Sequence, residues 1–168
     1  MTDFYSSRWT GIFPLPLIPL AGAVKTLQRT TPCVGICSTT YGDLVCRGCK
    51  RFAHEIVQWN AYSPEQRDVI WQRLFELRRQ AVEAAVRVID PVRFEAFRTQ
   101  RKLPEGAPWE LAAYEILRSI VIKDQDAAEF GLQSLSGLPT LALLRAIDAD
   151  IFHRSRAWYE HSYRVAAD

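Results

Sequence analysis

The order of polar and apolar positions divides this chain into an unpatterned N-terminal stretch and a helical remainder. Residues 53–59 place Ile56 and Trp59 three apart, as in a short helix. Asn60-Ala61-Tyr62 turns the chain, and Ser63-Pro64-Glu65-Gln66 then carries a strong helix start. Ser63 can accept from the Gln66 backbone N–H, Gln66 can reach back, and Pro64 stands at the first helical position, where its missing N–H costs nothing. The spacing predicts a helix from there to about residue 89. Ile70, Leu74, Leu77 and Ala81 form one stripe, widened by Trp71, Phe75, Val82 and Ile89. Arg67, Arg73, Arg78, Arg79 and Arg87 fall mostly off it. Asp90-Pro91 repeats the cap-then-proline signal and predicts a shorter helix holding Phe94 and Phe97. Pro104, Gly106 and Pro108 mark a loop, after which residues 109–123 read as a third substantial helix. Residues 125–139 are mixed, with a helical turn around Ala127 and then a loop ending at Gly137. Pro139 opens a last helix to about residue 163, with Leu141, Leu144, Ile151, Phe152, Trp158 and Tyr159 on its apolar face. Period-two alternation is never sustained, so the expected class is all-α: a small helical bundle with an irregular N-terminal module packed on it.

Residues 32–52 show neither period and are rich in turn formers: Pro32, Gly35, Gly42 and Gly48, with Ser38-Thr39-Thr40 between them. Ahead of them, residues 12–24 are apolar but broken by Pro14, Pro16 and Pro19. A membrane helix needs about 20 consecutive apolar residues without such interruptions, so no span is expected here. Residues 1–30 are read as a flexible tail, or as a wrongly assigned start with translation beginning at Val24. Ala21-Gly22-Ala23 offers a signal-peptide cleavage site, but Asp3 cancels Arg8 and the prolines spoil the apolar region. The expected organisation is therefore this tail, a module at residues 31–62 and a helical body at residues 63–168.

The chain has 168 residues, 48% hydrophobic and 24% charged, which excludes a wholly disordered, collagen-like or rod-like protein. Its formal net charge of +2 is too small to mark a nucleic-acid binder by itself. The charge is unevenly spread, however. Residues 24–54 carry a net +4 through Lys25, Arg29, Arg47, Lys50 and Arg51 against Asp43, and residues 55–168 carry −2.

That positive segment holds all four cysteines, as Cys33-x3-Cys37-x8-Cys46-x2-Cys49. Two close pairs on turns are what a four-thiolate site requires, and Gly35 and Gly48 lie inside the pairs, where the backbone must curl and offer N–H groups to sulfur. In a reducing cytoplasm, the compartment expected here, thiols remain ligands; in an exported chain they would pair as disulfides. A Cys₄ set suits structural zinc or an iron–sulfur cluster, and softness does not separate the two. Cys46-Arg47-Gly48-Cys49 resembles a zinc knuckle. It is also a C-x-x-C pair, but without the strand context of a redox site. Arg47, Lys50 and Arg51 either neutralise the thiolates or form a patch for an anionic partner, protein or nucleic acid. His54, five residues past Cys49, reads as a surface or supporting residue, as do His153 and His161. No phosphate loop, dinucleotide fingerprint, zincin motif or nucleophile elbow occurs. Nothing nominates an active site, although a deep polar pocket among the helices of residues 90–168 would argue for an enzyme.

Thr31-Pro32-Cys33-Val34-Gly35-Ile36-Cys37, Gly42-Asp43-Leu44-Val45-Cys46-Arg47-Gly48-Cys49-Lys50-Arg51 and Glu55-Ile56-Val57-Gln58-Trp59 together resemble a short bacterial family, domain of unknown function 1289. The likeness runs through Ser63-Pro64-Glu65-Gln66-Arg67 and Ile70-Trp71, covering about residues 31–77, and leaves residues 90–168 as an extension. The family's four cysteines correspond to Cys33, Cys37, Cys46 and Cys49. Its iron–sulfur label implies a cluster on these residues, with Zn²⁺ as the alternative, and a structural, electron-transferring or sensing role. The resemblance implies no activity.

Overall fold

The computed structural model describes residues 22–164. Helix α1 (Ala53–Val57) is followed by α2 (Pro64–Ala85), strand β1 (Val86–Val88), α3 (Pro91–Gln100), α4 (Trp109–Val121), strand β2 (Leu132–Ser134) and α5 (Thr140–Tyr159), which runs into a π-helical turn, Glu160–Arg164. The fold is mostly helical. Its centre is the three-way packing of α2, α4 and α5. Leu77, Val82, Ile116, Leu117, Leu143 and Ile147 are buried where these helices meet. A second apolar cluster at the start of α2 joins Trp59, Tyr62, Ile70, Trp71 and Phe75 to Val24. No helix among the described residues is long and apolar enough to cross a membrane.

The entry to α2 follows the sequence closely. Ser63 Oγ accepts from Gln66 N at 3.3 Å, and Gln66 Oε1 accepts from Ser63 N at 2.9 Å. Ser63→Ala is expected to lower stability by about 1 kcal/mol, read as a shift in the urea midpoint at constant slope. An unchanged midpoint would show that tertiary packing alone starts the helix.

The exit from α2 differs from expectation. The helix stops at Ala85, and Val86–Val88 pairs antiparallel with Leu132–Ser134, Arg87 opposite Gln133. β-Branched valines lose side-chain freedom in a helix, and the residue before Pro91 is barred from helical backbone. The mixed segment after Ala127 supplies the partner strand. Gly131 turns at φ +75°, and a Cβ there would stand 2.3 Å from the Asp90 carbonyl oxygen. Only glycine lets the two chains approach so closely. Ile89, expected to widen the apolar face of α2, is therefore half exposed.

Two further expectations change. The end of the predicted tail is anchored at one point: Gly22–Leu27 forms a 3₁₀ turn that buries Val24 in the second cluster. Residues 1–21, including most of the apolar run and of the signal-peptide reading, lie outside the described residues. On α5, Leu143 and Ile147 face the core, whereas Leu141 faces solvent. Arg98 turns inward from α3. It is buried and donates to the carbonyls of Pro104 and Ala107, closing the loop before α4.

Candidate metal centre

The cysteine segment is built from two turns that lie against each other. In the first, the Cys33 backbone N–H bonds to Thr31 Oγ1, and the chain reverses at Gly35 with φ +93°. Gly35 N donates to Cys33 Sγ at 3.4 Å. Cys37 leads into a 3₁₀ turn, Ser38–Tyr41, closed by Gly42 at φ +94°. The second turn is pinched by a short antiparallel bridge between Val45 and Phe52, with Cys46 N bonded to Arg51 O and Lys50 N to Cys46 O, both at 2.9 Å. Ser38 Oγ accepts from Arg47 N at 2.9 Å and joins the two turns. Gly48 completes the junction: a Cβ there would meet Ile36 O and Val34 Cγ2 at 2.7 Å each. Glycine is thus required at Gly48 for close approach of the first loop.

The Cys46–Cys49 turn is prepared for a thiolate. Burial works against charge on Cys46, but the backbone N–H groups of Cys49, Ser38 and Gly48 and the Cys49 thiol outweigh it, bringing its pKa down to about 7. Cys49 moves the other way. Burial raises its pKa, and Arg51, whose Nε lies 3.4 Å from Cys49 Sγ, opposes that rise.

The three basic residues near the cysteines do not form an exposed patch. Lys50 and Arg51 are 4% and 3% exposed. Lys50 holds φ +62° and donates from Nζ to Arg47 O, Gly48 O and Asp148 Oδ1. Arg51 lies over the Trp59 ring at 4.6 Å. Arg47 alone faces solvent, paired with Asp43 at 3.0 Å. Their positions suit stabilising thiolates and turn carbonyls better than meeting a large anionic partner.

The four expected ligands are not brought to one point. All are free thiols rather than disulfides. Cys46 and Cys49 face each other, but Cys33 is exposed and Cys37 Sγ sits 3.0 Å from Thr39 Oγ1. Among the described residues no three His, Cys, Asp or Glu side chains converge as a metal site. The donor chemistry and the Cys46–Cys49 turn fit a thiolate centre, and the first loop lies alongside that turn. His54 takes no part: it packs between the rings of Phe52 and Tyr163, and burial pushes its pKa below the ordinary histidine value.

A buried polar chain behind the turn was not foreseen. Arg73 pairs with Glu55 Oε2 and donates to Ser155 Oγ, which donates in turn to Lys50 O at 2.7 Å. Glu55 Oε2 also accepts from Phe52 N at 2.8 Å, and the Arg73 guanidinium lies 3.8 Å from the Phe52 ring centre. A signal existed: Arg73 stands three residues after Ile70 and four before Leu77, on the apolar stripe itself.

Comparison with families of known proteins matches residues 31–78, from the residue that caps Cys33 to Arg78 within α2. No curated protein and no solved structure matches the chain. That cysteine-rich segment, less than half of the chain's length, is similar to the family described as protein of unknown function (DUF1289).

Proposed function

We propose that residues 31–52 form a metal-binding module in which Cys33, Cys37, Cys46 and Cys49 hold an iron–sulfur cluster. The observation that carries this reading is the backbone N–H environment of the leading sulfur in each pair. Gly35 N donates to Cys33 Sγ at 3.4 Å, and the surrounding backbone N–H groups, Cys49 foremost, lower the Cys46 pKa against the opposing effect of burial. Such donors stabilise charge on sulfur and belong with metal-bound thiolate rather than with a buried neutral thiol. The first loop also needs a tether. Ile36 and Tyr41 are 76% and 90% exposed, so little apolar burial orders the stretch that carries Cys33 and Cys37. A centre shared by both turns would supply that order, which makes its first role structural. Zinc offers the same tether through the same ligands. The iron reading rests on the iron–sulfur label that the sequence resemblance implies.

The experiment is metal and acid-labile sulfide analysis of the full chain purified without oxygen, with its visible spectrum. The expected result is brown protein containing iron and sulfide, with metal lost in Cys46→Ser and Cys49→Ser and reduced in Cys33→Ser and Cys37→Ser. Colourless, zinc-loaded protein overturns the cluster but keeps the centre. Protein free of both metals, or unaffected by the serine variants, overturns the centre.

A further inference from the structure

Beside the cysteine turn, a cleft of about 670 Å³ opens between residues 47–50, α2, α4 and α5. Small-molecule sites span about 300–1,000 Å³. Its apolar wall includes Trp71, Leu74, Leu144 and Ile151. Six cations line it, Arg29, Arg47, Lys50, Arg78, Arg118 and Arg145, against two carboxylates, Glu115 and Asp148. These carboxylates do not balance the cations. Asp148 is taken by Lys50, Asp43 from outside the cleft pairs with Arg47, and Glu115 is divided between Arg78 and Arg118 at 3.6 Å each, so Arg29, Arg78, Arg118 and Arg145 share one carboxylate of the cleft. Both distances exceed that of a good hydrogen bond, about 2.7–3.2 Å, so both guanidiniums keep donors for another acceptor. Arg78 and Arg118 are also steadied from below, lying 4.5 and 6.0 Å from the centre of the Tyr114 ring. Arg145 is exposed at the rim.

We propose that this cleft binds a small amphipathic organic anion, its carboxylate or phosphate seated between Arg78 and Arg118 and its apolar body against Leu74, Trp71 and Leu144. A planar fork meets a carboxylate or phosphate through paired hydrogen bonds, and two forks from different helices fix its position. The excess of cations around the rim disfavours a neutral or cationic ligand. Residues of the cysteine turns, Val34 and Arg47 to Lys50 among them, form one wall of the cleft, whereas the anion seat itself lies on α2 and α4.

Two fluorescent anions test it at low salt on the full chain: a dansylated medium-chain fatty acid and an N-methylanthraniloyl nucleoside diphosphate. The dansylated fatty alcohol is the neutral control. Saturable one-to-one binding of at least one anion is expected, weakened by added salt, with the alcohol bound at least tenfold more weakly. The preferred anion distinguishes an acyl from a planar aromatic body. Arg78→Gln with Arg118→Gln is expected to weaken binding about tenfold or more. Arg145→Glu, a change at an exposed position that keeps the fold, is expected to weaken it severalfold through charge alone. Failure of both anions to saturate, equal binding of the alcohol, or wild-type affinity in Arg145→Glu and the double variant overturns the proposal.

Discussion

Replacing Arg73 with methionine is expected to lower the unfolding free energy by about 3–5 kcal/mol, the cost of breaking a buried ion pair from one side. Arg73 is 1% exposed and Glu55 is fully buried. The guanidinium neutralises Glu55, donates to Ser155 Oγ and covers the face of Phe52. Methionine fills much of the volume but leaves the Glu55 carboxylate without its counter-charge in a site closed to water. Lysine is not a remedy, because a single ammonium cannot serve Glu55 and Ser155 with the geometry of the fork. Changing both residues, Arg73→Met with Glu55→Gln, is expected to restore part of the loss, since no ion is then buried unpaired. Urea unfolding followed by tryptophan fluorescence reads these differences, because Trp59, Trp71 and Trp158 are all buried. An Arg73→Met midpoint equal to wild type would show that water reaches the pair and that the two ends of the chain are not held together there.

Arg73 also shows where reading the sequence stops. Grouped with the arginines off the apolar stripe of α2, it in fact shares the spacing of Ile70 and Leu77, and an isolated sequence does not say which buried acid answers a buried base. Glu55 lies on α1 and Ser155 on α5, and only the packing of those helices brings them to one spot. Helix starts were legible wherever the cause is local. Ser63 and Asp90 each cap a helix opened by proline, as their side chains and the following residues require. The face of α5 was legible in part: Ile151 and Trp158 are buried and Leu144, Phe152 and Tyr159 pack against the core, but Leu141 does not. Residues 141–144 offer three leucines on different sides, and docking on α2 and α4 decides that Leu143 turns inward and Leu141 outward. The β1–β2 pair was missed for a related reason. Three residues per strand give no measurable alternation, and the pair exists through a contact between segments over forty residues apart. At the cysteines, spacing foretold a turn around Cys46 and Cys49 with Gly48 inside it, but not that the first loop packs against Gly48. It could not foretell that Lys50 and Arg51 would be buried, because their partners, Asp148 and Trp59, come from outside the turn.

The segment after the family match therefore grips the cysteine turn directly. Asp148 and Ser155, both on α5, contact Lys50 through its ammonium and its carbonyl. The extension does not merely follow the cysteine-rich segment; it completes the wall behind it.

Lys50→Met is accordingly expected to cost about 2–4 kcal/mol, mainly from two turn carbonyls losing a charged donor. Lys50 Nζ reaches Arg47 O at 2.6 Å and Gly48 O at 2.9 Å, and these carbonyls shape the turn between Cys46 and Cys49. The third partner counts for less. The Asp148 side chain is 47% exposed, so water screens that ion pair, and Asp148→Asn is expected to cost under about 1 kcal/mol. Backbone strain adds a further contrast. Lys50 sits at φ +62°, where a residue bearing a Cβ loses roughly 1–2 kcal/mol relative to glycine. Lys50→Gly removes the same ammonium but relieves that strain, so it is expected to be the milder of the two by about 1 kcal/mol. Hydrogen exchange at residues 46–50 gives the local measure, and urea unfolding gives the global one. Faster exchange in both Lys50 variants, with Asp148→Asn close to wild type, identifies the ammonium as an internal clasp on the cysteine turn. If Asp148→Asn loosens the turn as much as Lys50→Met, the ion pair to α5 is what holds it, and the carbonyl contacts are incidental.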